Sequence, residues 1–396
     1  MHMDFLRPLY DEPGPWASLC TTPPTTDAFG AEVRELTVRG LCRALTEQGA
    51  DPDTVEAVRE VLGGVAPADA PHGTAVFAAH GRVVLRRPLP RALPQPVARW
   101  TALPHVVPLA DAYASEVSCL VARIDRTGAD FELLGGGEAR PAGGAEGSRH
   151  PVHRTASADW SERHFQLKVE NTWEHNAGTI AESLTDAADH DGPDLVVLAG
   201  DPHERREVFN RLPDRLRDHT AISDHGGRAA GASSDRLDAD VALARDEFAH
   251  RRDRQVLDRF LAGGGEATAV GLLQLVDAAQ QHRIGTLLLR PGDSDVKEEV
   301  WVGEDADRLS ARRTADAPVS APAGDALVRA AVATGADVAV LGSGNVIAPG
   351  PTGFPGSPGP GVGRHGPGAA AAASVGAGQP ARGELPRGLG ALLRWQ

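Results

Sequence analysis

The chain has 396 residues and carries 54 acidic against 40 basic side chains, a formal net charge of −14. That length supports two or three domains, each with its own core. The acidic balance excludes a general nucleic-acid binder, which is basic overall, so any RNA contact must be local. Positive charge is almost all arginine, because Lys168 and Lys297 are the only lysines. Cys20, Cys42 and Cys119 have no metal-ligand spacing and read as reduced core residues of a cytosolic protein. No apolar run reaches 18 residues and the start Met1 to Phe5 lacks a signal-peptide apolar region, so a soluble, cytoplasmic protein is expected, with no membrane partner.

Residues 1 to about 30 are rich in proline and threonine and read as irregular, apart from an apolar patch near Trp16 and Leu19. Val33, Leu36, Leu41 and Leu45 mark a helix. Asp51-Pro52 opens another, with Asp as cap and Pro in the first helical position, and Gly63-Gly64 closes it. Thr74 to Phe77 and Arg82 to Leu85 predict a hairpin turning at Ala79-His80-Gly81, and Arg99 to Leu103 a further strand. The first domain is thus an α+β unit over residues 1–110.

A second unit is expected over 113–222. Glu116 to Ile124 and Asp130 to Leu134 form a hairpin, and a glycine-rich, unpatterned loop follows over 140–160. Phe165, Val169, Trp173, Ala177, Ile180, Leu184 and Ala188 then recur at steps of three or four, which places them on one face of a helix over 160–190. Asp159 with Glu162 three residues on is a capping-box start, and Asp191-Gly192-Pro193 is the stop. Such a helix is roughly 40 Å long at about 1.5 Å per residue. The run Asp194 to Ala199 reads as a buried strand, and a helix follows from Pro202 to Phe209, giving an α/β domain.

Residues 223–236 read as a Gly/Ala/Ser linker. The third domain, 237–396, opens on a helical stripe through Leu237, Val241, Ala244, Phe248, Val256 and Phe260. A helix over Ala267 to His282, strands over Ile284 to Leu289 and Glu299 to Val302, a helix over Asp325 to Thr334 and a strand over Asp337 to Leu341 make it a three-layer α/β/α domain, with Gly388 to Trp395 as closing strand. Residues 344–387 form a Gly/Pro/Ala insertion with too little apolar surface to offset its own ordering, and disorder is expected there.

Chemistry concentrates at the loop and the start of the long helix. Arg163 and His164, with Lys168 one turn on, stand at the positive end of the helix dipole, where cations are mildly unfavourable. Arg149, His150, His153 and Arg154 on the preceding loop add to the same cationic tip, beside a helix end whose N–H groups suit phosphate. Trp160 is placed to stack on a base, a contact worth about 1–3 kcal/mol, or to pack on the helix as a hydrophobic staple.

The order of three α/β units, with a hairpin, a Gly-rich loop and a helix opening Ser161-Glu-Arg163-His164-Phe165-Gln-Leu-Lys168-Val-Glu170 in the middle unit, resembles the bacterial branch of the archaeo-eukaryotic release factor and Pelota superfamily. Within it the resemblance is to the ribosome-hibernation factor Balon and its actinobacterial relatives. It implies a three-domain architecture with an L7Ae-like third domain. It also implies a bacterial ribosome as partner: the first domain at the decoding centre, the loop at the peptidyl-transferase centre, and the third domain toward a translational GTPase such as elongation factor Tu. Members that release peptides carry Gly-Gly-Gln just before the matching helix. Here those positions hold Ala158, Asp159 and Trp160. A bulky Trp beside an anionic Asp obstructs water at the ester, so occupancy of the aminoacyl (A) site of idle ribosomes without hydrolysis is expected, a stress-response role. A ribosome-rescue factor, a divergent peptidyl-tRNA hydrolase and an interaction protein with no ribosome role are the alternatives.

Other motifs are silent. Gly135-Gly-Gly137 and Gly342-Ser-Gly344 lack the Lys-Ser/Thr of a phosphate-binding loop, and no Gly-x-Ser-x-Gly elbow is present. The 15 histidines show no metal-ligand spacing. No cofactor, metal or DNA partner is expected.

Overall fold

The computed structural model describes residues 3–21, 30–66, 69–135, 138–147, 161–228, 234–342 and 385–395, with backbone alone at 31, 138 and 161–173. The amino-terminal unit is a four-stranded antiparallel sheet built from β1 (Trp16–Cys20), β2 (Thr74–Ala79), β3 (Arg82–Pro88) and β4 (Val97–Thr101), in the order β3-β2-β1-β4. The β2–β3 turn places His80 and Gly81 at φ 51° and 74°, as a two-residue hairpin loop requires. The expected strand at 99–103 sits two residues earlier, because β4 takes its register from β1, with Cys20 opposite Val97 and Trp16 opposite Thr101.

The apolar patch near Trp16 and Leu19, set apart from the irregular reading of the first 30 residues, is the strand β1. Trp-Ala-Ser-Leu-Cys shows no alternation because both faces are covered, the signature of a fully buried strand. Ala17 and Leu19 pack under α1 (Gly30–Glu47) and α2 (Pro52–Gly64), against Leu45 and Val58. Asp51 caps α2 by accepting a hydrogen bond from the Thr54 amide at 2.8 Å. Trp16, Cys20 and Phe77 face the other way, into a core they share with Leu275, Leu287 and Leu327 of the carboxy-terminal unit. The first and third units thus bury one continuous core where separate cores were expected.

The carboxy-terminal sheet runs β10 (Thr268–Val270), β16 (Leu389–Leu393), β11 (Ile284–Leu289), β15 (Asp337–Val340), with α8 (Leu272–Gln280) and α10 (Ala323–Thr334) on the shared core. Residues 268–270, expected in a helix, are a strand paired with Leu392 to Gly390. Gly271 at φ 80° breaks the chain before α8 begins. A second small sheet, β13 (Leu309–Ser310), β12 (Glu299–Val302), β14 (Val319–Pro322), was not foreseen beyond β12. Most of the 344–387 insertion lies outside the described residues. Its end is ordered: Leu385 is buried against Phe260, Leu288 and Leu341.

A buried carboxylate ties the two units together. Asp325 on α10, 1% exposed, accepts hydrogen bonds from the amides of Val106 (2.9 Å) and Val107 (3.1 Å) and pairs with His105 Nδ1 at 2.7 Å. It thereby caps α3 (Val107–Tyr113) from another part of the chain.

The middle unit is a five-stranded sheet of β5 (Cys119–Asp125), β6 (Gly128–Gly135), β7 (Glu138–Glu146), β8 (Leu195–Gly200) and β9 (Thr220–Ile222), ordered β7-β6-β5-β8-β9. Helices α4 (Ser161–Asp191) and α5 (Pro202–Arg211) cover one face. The opposite face is covered by α7 (Ser234–Ala262), whose Leu237, Val241 and Ala249 pack on Val121 and Val197. The far half of α7 sends Val256, Leu257 and Phe260 into the carboxy-terminal core. The helix expected to open the third domain is therefore divided between two units. Its Arg245 and Arg252 also grip the connection out of the first unit, donating to the carbonyls of Val117 and Ala114.

Candidate functional site

The site is organised by α4. Its ending is as the sequence implies: the helix stops at Asp191, and Gly192 turns away at φ 59° before Pro193. Ala177, Ile180, Leu184 and Ala188 of the expected face are buried on the sheet beside Leu120, Ala122 and Phe131. Phe165, Val169 and Trp173 fall where only backbone is described.

The root of the helix is fixed at one residue. Asn176 is 1% exposed and donates through Nδ2 to the Arg126 carbonyl, on the β5–β6 turn, at 3.0 Å. Gly147, just past β7, lies so close to the Asn176 side-chain amide that a Cβ there would collide with it, while the Gly147 amide bonds to the Thr127 carbonyl at 2.8 Å. One asparagine thus holds the helix, the β5–β6 turn and the end of β7 together. Ser161 lies about 22 Å along the axis from Asn176 at about 1.5 Å per residue. Sequence reasoning passed over Asn176, and its signal was a polar residue at helical spacing within the apolar stripe, between Trp173 and Ile180.

The loop expected over 140–160 is shorter at its start. Residues 138–146 are β7, paired with β6 from Gly128 opposite Glu146 to Gly135 opposite Glu138, with a bulge between Asp130 and Glu132. Its glycines permit close pairing and are no sign of a free loop. Gly143 takes φ 99°, and a Cβ on Gly144 would come within 2.5 Å of the Ala129 carbonyl oxygen.

Of the expected tip residues, Arg163, His164 and Lys168 lie in the first eight residues of α4. Arg149, His150, His153, Arg154, Ala158, Asp159 and Trp160 lie outside the described residues.

The segment after β9, expected as a linker, is anchored over 223–228. Ser223 Oγ donates to Asp240 Oδ2 at 2.6 Å, and His225 Nδ1 meets the same oxygen at 2.9 Å. These two hydrogen bonds hold the Asp240 carboxyl below the usual carboxylate range. This Ser, His and Asp set is not a nucleophilic relay: serine and histidine both address the carboxylate, whereas a relay needs the imidazole between serine and acid. Arg205 of α5 donates to the Ser223 carbonyl and Asp224, and Arg228 reaches Asp130 (2.9 Å) and Asp125 (3.3 Å). Burial pushes the Asp125 carboxyl up, but hydrogen bonds from Thr127 at 2.7 Å and the Arg228 charge outweigh it, so it too lies below its ordinary value.

All three cysteines are buried and free, with burial pushing the Cys20 and Cys119 thiols up to about 12. Among the described residues no group of three His, Cys, Asp or Glu is placed to hold a metal ion, and no helix is long and apolar enough to cross a membrane.

Residues 118–266 match the model of bacterial archaeo-eukaryotic release factor family 2. That range runs from the edge of β5 to just past α7, so it takes in the sheet, α4 and the helix that closes the sheet's second face. Along the whole chain, Rv2629 and MT2704 from two strains of Mycobacterium tuberculosis, both uncharacterised, are each 28% identical over 362 residues, covering 88% of this chain and 94% of the relative. Among solved structures, a ribosome-bound archaeal Pelota covers 99% of this chain and 94% of its own at 12% identity and a TM-score of 0.40. Dom34 of S. cerevisiae covers 82% and 79% at 10% identity and 0.39, and the archaeal termination factor aRF1 covers 99% and 96% at 16% and 0.24. The middle unit is thus release-factor-like by sequence.

Proposed function

We propose that this chain is a ribosome-binding translation factor of the release-factor and Pelota kind that occupies the A site of idle ribosomes without hydrolysing peptidyl-tRNA. The match of residues 118–266 to the release-factor family model is the observation that carries this reading, because it falls on the unit that contains α4. In that reading α4 is a stiff stalk rooted at Asn176, and Arg163, His164 and Lys168 near its start, with Arg149, His150, His153 and Arg154 before it, meet rRNA phosphates. Ala158, Asp159 and Trp160 stand where releasing members carry Gly-Gly-Gln, which removes the glutamine and the small glycine pair that admit water to the ester. A hibernation role, as in Balon, follows from occupancy without chemistry, with elongation factor Tu as the candidate for delivery.

The test uses purified full-length protein and vacant bacterial ribosomes at physiological salt. Co-sedimentation that falls sharply in an Arg154→Glu, Arg163→Glu double variant, together with no release of peptide from ribosome-bound peptidyl-tRNA, is the expected result. Release of peptide would shift the assignment to a divergent hydrolase, and failure of the wild-type protein to sediment with ribosomes would remove the ribosome from the account.

A further inference from the structure

A cavity of about 870 Å³ lies on the seam between the amino-terminal sheet and the carboxy-terminal unit, apart from the α4 site. Its walls come from β4 and the start of α3 on one side and from β14 and Asp325 of α10 on the other, so neither unit forms it alone. A volume of this order is that of a ligand-binding cleft.

The charge left over in the cavity is positive, in a chain whose net charge is −14. Arg99 stands between Ala98 and Trp100, which pack toward α1 and α2, so its side chain shares the seam face of β4 with Val97. It is exposed and has no partner among the described residues. Lys297, two residues ahead of β12, donates to the Gly292 carbonyl at 2.9 Å and meets no carboxylate among the described residues. The acids of the walls are engaged elsewhere. Asp111 pairs with Arg91 at 2.7 Å, and Asp325 takes its three donors. Glu299 opens β12, and alternation with the buried Val300 and Val302 turns its side chain to the far face of that small sheet.

His105 adds a directed acceptor. Its Nδ1 faces the Asp325 carboxylate at 2.7 Å, which places the ring proton there and leaves Nε2 with a lone pair. The Asp325 side chain is 1% exposed, whereas that of His105 is 23% exposed and lines the cavity. Nε2, on the ring edge turned from the carboxylate, has no partner among the described residues. Val97, Pro108, Val296 and Ala321 complete an apolar wall.

We propose that this cavity binds a small organic anion that carries a hydroxyl beside its carboxylate or phosphate group. Arg99 and Lys297 hold the anionic group, the hydroxyl donates to His105 Nε2, and the carbon body rests on the apolar wall. A bare inorganic anion would leave the imidazole and the apolar wall unused.

The experiment is isothermal titration calorimetry of the full-length protein near physiological salt. Mandelate supplies ring, hydroxyl and carboxylate, and hydroxy(phenyl)methylphosphonate supplies a phosphate-like head in its place. Phenylacetate lacks the hydroxyl, and phenylethanediol lacks the charge. Arg99→Gln and Lys297→Gln are combined in one variant; both side chains are exposed, and a melting curve confirms that it folds. A second variant, His105→Asn, keeps an amide donor for Asp325 and removes Nε2. One or both hydroxylated anions are expected to bind wild type and to lose about tenfold or more in affinity on the double variant. His105→Asn is expected to bring mandelate down to the affinity of phenylacetate and to leave phenylacetate unchanged. The proposal is overturned by a wild-type protein that binds neither hydroxylated anion, by equal affinity of wild type and double variant, or by phenylethanediol binding as tightly as mandelate. Mandelate binding untouched by His105→Asn also overturns it, since the hydroxyl would then have no acceptor in the site.

Discussion

Asn176 reaches the carbonyl of Arg126 with its side-chain amide, and this 3.0 Å hydrogen bond joins the long helix to the β5–β6 turn. Substitution by leucine removes this hydrogen bond from a part-buried site, at a cost of about 0.5–1.5 kcal/mol. Asn176→Leu is therefore expected to lower the melting temperature. Gly147→Ala is expected to do the same, because its Cβ has no room beside Asn176. Both variants should also sediment less with ribosomes, and full sedimentation by a variant with a lowered melting temperature would separate the root from binding.

Asp325 holds two amides and an imidazole across the boundary between two units. Asp325→Ala is expected to cost about 3–5 kcal/mol, since buried donors are left without an acceptor. Asp325→Asn keeps one acceptor oxygen and should cost less. Chemical denaturation gives the magnitudes, and hydrogen exchange at Val106 and Val107 should speed up in the alanine variant ahead of the rest of the protein.

Asp253 on α7 predicts an inverted pH effect. Burial pushes its carboxyl up to about 6, against a weaker pull from Arg252. A carboxyl raised in the folded state favours folding most at low pH, and that contribution falls as pH rises from the ordinary carboxylate range through about 6. Asp253→Asn mimics the protonated form. It is expected to melt above wild type at pH 7.5 and level with it near pH 4; a lower melting point at pH 7.5 would show that ionised Asp253 is stabilising. Asp125 and Asp240 act in the opposite sense: both lie below the usual range, so their support is present at neutral pH and is lost as acid protonates them.

Ser223 tests the chemistry. Its hydroxyl is buried and donates to Asp240, a carboxyl held below the usual carboxylate range and so too weak a base to activate it, while the imidazole of His225 addresses the carboxylate and not the hydroxyl. A fluorophosphonate probe is expected to leave Ser223 unlabelled, as read by mass spectrometry of its peptide. Labelling there would reopen a hydrolase.

What could be read in the sequence follows from what each residue faces. The long helix shows because Ala177, Ile180, Leu184 and Ala188 meet a single sheet and repeat at its spacing, and its end shows because Gly192 and Pro193 act locally. Asp51 and the His80-Gly81 turn are equally local. Strand β1 showed only as an apolar patch because both its faces are buried and the alternation vanishes. Strand β7 was missed because Gly143 and Gly144 serve a bulge and a close strand contact, which in sequence look the same as a loop. The core shared by Trp16 and Leu327 depends on which faces meet, and no local pattern encodes that. At the site, the stalk was legible through its stripe, and Asn176 was not, since one polar residue within a stripe does not announce its partner.

Helix α7 sets where this protein can be cut. A fragment ending near residue 236 would strip the middle sheet of Leu237, Val241 and Ala249 and leave Val121 and Val197 bare to water, an aggregating surface. A fragment beginning there would carry the same three residues with nothing to cover. An excised middle piece has to run through Ala262 to stay in solution, taking with it the Phe260 that the carboxy-terminal unit then lacks.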